Sequence, residues 1–313
     1  MGPSTAGLPL EVVVPLKIRT YHGTSDLDRF TALLLPSFDR FFVDKDDVEF
    51  VLVVPETDMS EIVERIGDLK RRNMRVECEN ALCPSLSEES GWHKQQILKL
   101  AAAKIVTSEY YLLLDADVIL KRPTRLADLL PGGKPILQKI GARHHWDWWV
   151  GSRKTLKSAV GVQRDSIVMD VTPNFLHRET CLALHEAIAS RNNADEWDRF
   201  LFDTRQIGWT EFSLYWLYTL ERGLDRDLYD WSSTQMYEFI SEPGQLEPRR
   251  LRRNFSPDAR SFFLVVQSNL NLDPAIVEAR IRPYLKDPGT GRARFRLGGL
   301  GRLRDYLAEL LLR

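Results

Sequence analysis

Apolar and polar positions along the chain fall into two alternating rhythms. Leu10 to Leu16 (LEVVVPL) is a short β-branched run that reads as a buried strand ending at Pro15, and Asp26 to Leu35 then begins a helical pattern. Val48 to Val54 (VEFVLVV) is a second buried strand, stopped by Pro55. Met59 to Arg72 follows with helical periodicity and a basic end, and Arg75 to Cys78 reads as a third short strand. After a polar loop around Ser85 to Ser90, Trp92 to Val106 (WHKQQILKLAAAKIV) has the Ala, Leu, Gln and Lys content of a helix. Tyr110 to Leu114 (YYLLL) is an apolar strand that runs into Asp115, Ala116 and Asp117; Val118 to Leu120 and Lys121-Arg122-Pro123 follow. This βαβα alternation predicts an α/β fold with a mostly parallel sheet covered by helices.

Past Gly132-Gly133 the rhythm changes. Residues 141–165 crowd His144, His145, Trp146, Trp148 and Trp149 beside Arg143, Arg153 and Lys154, a composition suited to a binding loop or short strands. Helical patterns return at Arg178 to Ser190 and at Glu211 to Glu221. A basic, proline-containing stretch from Glu247 to Arg253 precedes an apolar strand at Phe262 to Val266. Without repeats or a long linker, the chain reads as one domain over residues 1–270, in halves 1–130 and 131–270, with a C-terminal extension over 271–313.

The 313 residues suffice for a sizeable core, and 43% hydrophobic with 28% charged residues is ordinary globular composition. A formal net charge of -1 gives no electrostatic footprint for nucleic acid. Cys78, Cys83 and Cys181 are odd in number and lack metal-finger spacing, which fits a reducing compartment. The N-terminus has no basic region ahead of an apolar one, and no apolar run approaches the roughly 20 residues of a spanning helix. A cytoplasmic protein is expected. Its tail, with Arg292, Arg294, Arg296, Arg302 and Arg304 before LRDYLAELLLR, has an amphipathic pattern suited to peripheral contact with an anionic membrane.

Two carboxylates one residue apart at the carboxyl end of a buried strand stand where open α/β sheets bind ligands. A hard cation such as Mg²⁺ or Mn²⁺ bridges one or two carboxylates to substrate phosphates. On a diphosphate leaving group it neutralises the charge that builds as the bond breaks. A DxD alone also occurs by chance in surface turns; the preceding YYLLL gives this one its structural setting.

TSEYYLLLDADVILKRP, with the upstream WHKQQILKLAAAKIV, resembles the core of GT-A glycosyltransferases. HKQQILKL, LDADVIL and WTEFSLY are similar to a poorly characterised bacterial group linked to surface polysaccharide synthesis, and the likeness runs over roughly residues 10–270. The resemblance implies a GT-A, Rossmann-like nucleotide-sugar fold. It further implies Mn²⁺ or Mg²⁺ held by Asp115 and Asp117, a nucleotide-sugar donor lying along Asp115-Ala116-Asp117, and transfer to a glycan or lipid-linked acceptor. The first loop, Pro15 to Tyr21, would lie near the base and ribose, with Lys17 and Arg19 as donor contacts, and Lys94 and Gln95 would reach toward the donor sugar. Plain solvation explains those residues as well. Many such enzymes add a histidine ligand from the C-terminal part, but no histidine follows His185; Gln267, Ser268, Asn269 or water would have to substitute.

Glu211, in the aromatic WTEFSLYWLY, is the carboxylate best suited to act as general base on an acceptor hydroxyl, with Asp147 second. Glu211 equally fits the first turn of a helix capped by Thr210. Trp146, Trp148 and Trp149 could stack on acceptor sugars or simply pack. Three other readings compete: a haloacid dehalogenase-type phosphatase using DxDxV, a sugar-nucleotide pyrophosphorylase, and a non-catalytic carbohydrate-binding protein. The position of DxD about a hundred residues into the chain disfavours the first, and the absence of a glycine-rich opening loop the second.

Overall fold

The computed structural model describes residues 10–18, 25–67, 73–138, 140, 146–161, 168–232, 235–256, 258–267, 270 and 272–286. Its larger sheet has the order β3-β2-β1-β4-β6, from β1 (Leu10–Pro15), β2 (Val48–Val54), β3 (Met74–Cys78), β4 (Tyr110–Leu113) and β6 (Asn174–His177). The first four strands run parallel, and β6 pairs antiparallel with β4, Tyr110 opposite His177. A smaller sheet has the order β5-β8-β7, from β5 (Val118–Leu120), β7 (Tyr237–Ile240) and β8 (Phe263–Val266). The predicted α/β fold with a mostly parallel central sheet between helices is what forms.

The apolar runs become strands because both faces of the central sheet are covered, so β1 and β4 are buried at every position. From β1 the chain winds outward to β3, then crosses back to place β4 on the other side of β1. That reversal opens a crevice at the carboxyl ends of β1 and β4. Asp115 to Asp117 spans it: Leu114 N–H still donates to the Val13 carbonyl in the large sheet, while Val266 N–H donates to the Asp117 carbonyl in the small one.

Gly91, at φ 96°, starts the helix Trp92–Ala101 in a conformation open to glycine. The Tyr111 hydroxyl, inside β4, donates 3.1 Å to the Lys99 carbonyl and fixes that helix against the strand. The predicted Asp26 helix runs on to Phe41 with a π-helical turn at Phe30–Leu34.

One region departs from expectation. Trp146–Thr155 is a helix, not a loop or strands; Trp149, Ser152 and Thr155 make its buried face, and the Ser152 hydroxyl meets that of Ser213 at 2.6 Å on the helix Glu211–Glu221. Gly151 permits this packing, since a Cβ there would strike the Gly208 carbonyl. The basic stretch at 247–253, to which the sequence assigns no element, is helical over Pro248–Asn254. The helix Pro274–Lys286 lies past residue 270, and its Val277 and Ile281 join the core that contains β1. No helix among the described residues is long and apolar enough to cross a membrane, and the basic tail lies outside them.

His185, stacked on Trp197 at 3.8 Å between ring centroids, is held down to about 3 by burial and by nearby Lys104. It stays neutral in the fold while the unfolded chain takes up a proton below its ordinary 6.5, so its stabilisation is present above pH 6.5 and lost as pH falls toward 3. His185→Phe, which keeps the stack, should remove on the order of 4 kcal/mol of acid sensitivity. Urea unfolding at pH 7 and pH 4 checks this: the drop in midpoint on acidification should be smaller in the variant, and an equal drop would refute the assignment.

Candidate active site

A cavity of about 390 Å³ opens at the crevice between the two sheets, within the size range of small-ligand sites. Asp115, Asp117, Thr172, Glu211, Lys99 and Gln96 line one side, and Trp92, Trp148, Phe239 and Gln267 line others. Asp115 is open to it, with 32% of its side chain exposed, whereas Asp117 is buried.

At the centre lies Lys99, itself buried, with Nζ 2.9 Å from Asp115 Oδ1 and 3.2 Å from Glu211 Oε1. The Thr172 hydroxyl donates 2.6 Å to Asp115 Oδ2. With its amide nitrogen turned inward, Gln96 donates to the Glu211 carboxylate. Glu211 stands in the first turn of a helix capped by Thr210, whose hydroxyl accepts from Ser213 N–H at 3.3 Å. The expected cap and a place in the site thus coexist at Glu211.

Burial alone would depress the Lys99 ammonium, but the Asp115 and Glu211 carboxylates override it and hold it above the ordinary lysine value. Burial raises Glu211 to about 7 against the pull of Lys99, and the Asp115 charge adds to the rise. Burial, then the neighbouring Asp115 charge, raises Asp117 to about 8, with Arg29 opposing. Asp26, which pairs with Arg29 at 3.2 Å, is raised by burial to about 6. Burial therefore holds Glu211, Asp117 and Asp26 back from ionising.

Asp117 Oδ1 is buried and has no hydrogen-bond partner among the described residues. Such an orphaned acceptor is costly in a finished core but apt for a cation. No group of three His, Cys, Asp or Glu side chains among the described residues is arranged to hold a metal. Asp115 and Asp117 alone would leave the rest of the shell to substrate oxygens and water, which Mg²⁺ and Mn²⁺ accept readily. The residues fit a cation shared with a phosphate-bearing substrate better than a resident structural metal. Gln267 reaches both the main cavity and a small one beside Asp117 and Arg29; Ser268 and Asn269 lie outside the described residues.

Several other predicted positions lie apart from this cavity. Lys94 is buried in a 2.6 Å ion pair with Glu79, and neither it nor Gln95 lines the cavity; Gln96 and Lys99 do. Asp147 is exposed on the outer side of its helix. Of the three tryptophans only Trp148 lines the cavity, Trp149 being 2% exposed and Trp146 facing a separate space. Pro15 and Ala116 are buried, the Lys17 carbonyl accepts from Asp26 N–H, and Arg19 lies outside the described residues. Trp92, missed in the sequence, packs its ring 5.9 Å from that of Trp148 at the cavity wall.

The sequence matches, over residues 9–288, the family described as a family of unknown function (DUF6492). The chain belongs to that family. No curated protein matches it in sequence. Among solved structures the DUF6492 chain is similar to mouse xyloside xylosyltransferase 1, at 11% identity over 85% of this chain and 100% of that one, TM-score 0.48. It is also similar to the WbbM bifunctional glycosyltransferase, at 11% identity over 71% of this chain and 45% of that one, TM-score 0.40. A third similar structure is glucosyl-3-phosphoglycerate synthase from Mycobacterium tuberculosis, solved with Mn²⁺ and uridine diphosphate, at 17% identity over 67% and 68%, TM-score 0.33. Likeness at this level carries no conclusion about activity.

Proposed function

We propose that this chain is a metal-dependent glycosyltransferase that moves a sugar from a nucleotide-sugar donor to a glycan or lipid-linked acceptor, in the synthesis of a bacterial surface polysaccharide. The observation that carries the reading is the orphaned, buried Asp117 oxygen beside Asp115 at the carboxyl end of β4, with Glu211 lining the same cavity. The resemblance of LLLDADVIL to GT-A cores supports it.

Asp115 and Asp117 would hold Mn²⁺ or Mg²⁺, which when bound supplies Lewis-acid stabilisation to the donor's diphosphate. Lys99 holds Asp115 and Glu211 in register and keeps a fixed positive charge among the carboxylates, so that charge leaving with the nucleotide meets a preorganised cation. Glu211, at about 7, is matched to accept the acceptor hydroxyl's proton near neutral pH. Trp92 and Trp148 present adjoining rings on which the apolar face of a sugar can rest.

Glu211→Gln keeps the shape and the capped helix but removes the proton acceptor. Donor turnover, assayed over UDP-, GDP-, CMP- and dTDP-sugars with a mixed glycan acceptor pool, should fall about 10²–10⁴-fold in kcat with donor KM nearly unchanged. An unchanged kcat would leave Glu211 as a structural partner of Lys99 and remove the base from the mechanism.

A further inference from the structure

The outer side of the helix Trp146–Thr155 carries a second cavity, of about 410 Å³. Trp146, Trp149 and Val150 form its apolar wall, and Arg153, Lys154 and Lys157 stand around it with no carboxylate among the described lining residues. The main cavity is the opposite, lined by Asp115, Asp117, Asp170 and Glu211. One helix therefore divides a cavity lined largely by carboxyl side chains from one lined by basic ones, with Trp148 on the carboxyl side and Trp146 on the basic side.

The basic side is built to receive an anion. Arg153 Nε donates 3.2 Å to the Ser158 carbonyl, which fixes the base of the guanidinium and leaves its terminal nitrogens with donors to spare. Lys157, at φ 49°, turns the chain back at the end of the helix, and its Nζ donates 2.6 Å to the Arg191 carbonyl. Lys154 makes no hydrogen bond or ion pair among the described residues. The carbonyls at the end of the helix would repel an anion, but Asn192 donates to that of Thr155 at 3.1 Å and Arg191 to that of Leu156 at 3.0 Å.

We propose that this cavity is a second saccharide site, selective for sugars that carry a phosphate or a carboxylate. The partly exposed Trp146 ring offers the flat apolar surface a pyranose face matches, and Arg153 and Lys154 supply donors for the anionic group. A concave space of this volume suits a mono- or disaccharide-sized ligand better than a protein surface. Binding here needs neither a metal nor Glu211, so the inference stands or fails separately from the reading of the main cavity.

The test is titration of the full chain, followed by tryptophan fluorescence and calorimetry, with glucose 6-phosphate, glucuronate and trigalacturonate, against maltotriose and inorganic phosphate. Vesicles with and without phosphatidylglycerol form a separate arm. Acidic saccharides should bind with an affinity that falls with salt, and maltotriose and phosphate should bind more weakly. Lys154→Glu should raise Kd by at least about tenfold, the loss of one charge-assisted hydrogen bond. Trp146→Ala should weaken the same ligands while leaving the salt dependence intact, and it gives a second reading if the charge reversal disturbs folding. Equal binding of maltotriose, binding of anionic vesicles without any acidic saccharide, or affinities unmoved by both variants would each overturn the proposal.

Discussion

Asp117→Asn is expected to make the metal-free protein more stable while sharply slowing its metal-dependent transfer. The carboxyl is buried beside Asp115 and raised to about 8, so it stays protonated in the fold over a range where the unfolded chain has released its proton. A raised carboxyl contributes its full stability only below its ordinary 3.8, and that contribution is lost as pH climbs toward 8. A neutral isostere escapes the loss, and at pH 7–8 in EDTA the gain should be on the order of 2 kcal/mol or more. Urea unfolding across pH 6 to 9 would show a higher midpoint and a flatter pH profile for the variant. Turnover should fall about 10²–10³-fold, the several kcal/mol a cation contributes at a leaving group. A variant less stable than the parent at pH 8 would mean that Asp117 is ionised and paired in the empty site, contrary to the geometry around Oδ1.

Lys99→Met has the opposite expectation. Lys99 is the buried cation between Asp115 and Glu211, and its removal leaves two carboxylates facing an apolar side chain. Breaking a buried pair from one side costs about 3–5 kcal/mol, chiefly because the remaining charge keeps its desolvation penalty. The double variant Lys99→Met/Glu211→Gln removes one of the stranded charges and should recover about 1 kcal/mol or more of that loss. Comparison of urea midpoints for the two single variants and the double gives the coupling directly. If the double variant is no more stable than Lys99→Met, Lys99 acts by packing over the Phe212 ring, 5.7 Å away, and not as the counter-ion of Glu211.

The parts of this arrangement legible in the sequence are those that local pattern dictates. β1, β2, β4 and β8 announce themselves as apolar runs, and a strand buried on both faces needs little else. The place of Asp115 and Asp117 follows from YYLLL, and that of Glu211 from the Thr210 cap. β6 (NFLH) and β7 (YEFI) are too short and too mixed to stand out, because their pairing with β4 and β8 makes them strands.

The helix phase was the harder quantity. One residue turns a helix by about 100°, so reading Gln95 and Lys94 in place of Gln96 and Lys99 misses the cavity although the helix itself is correctly placed. Nothing in WHKQQILKL marks which of its two buried lysines meets the cavity, because each goes inside to a carboxylate from another segment, Lys94 to Glu79 and Lys99 to Asp115 and Glu211. Thr172 enters the site by the same tertiary route, from a segment with no local motif, and Trp92 through its packing on Trp148. The helix at Trp146 was obscured by its tryptophans and basic residues, whose two faces serve different cavities.

The central claim is that Asp115 and Asp117 jointly hold a cation that binds a nucleotide-sugar diphosphate. Thermal unfolding of the protein with UDP-, GDP-, CMP- and dTDP-sugars, each with and without Mn²⁺, measures this through the stabilisation a ligand of the folded state confers. The account predicts a rise in Tm for one nucleotide class that requires Mn²⁺ and disappears in both Asp115→Asn and Asp117→Asn. A donor-induced rise that survives both substitutions, or no rise with any donor, would contradict it.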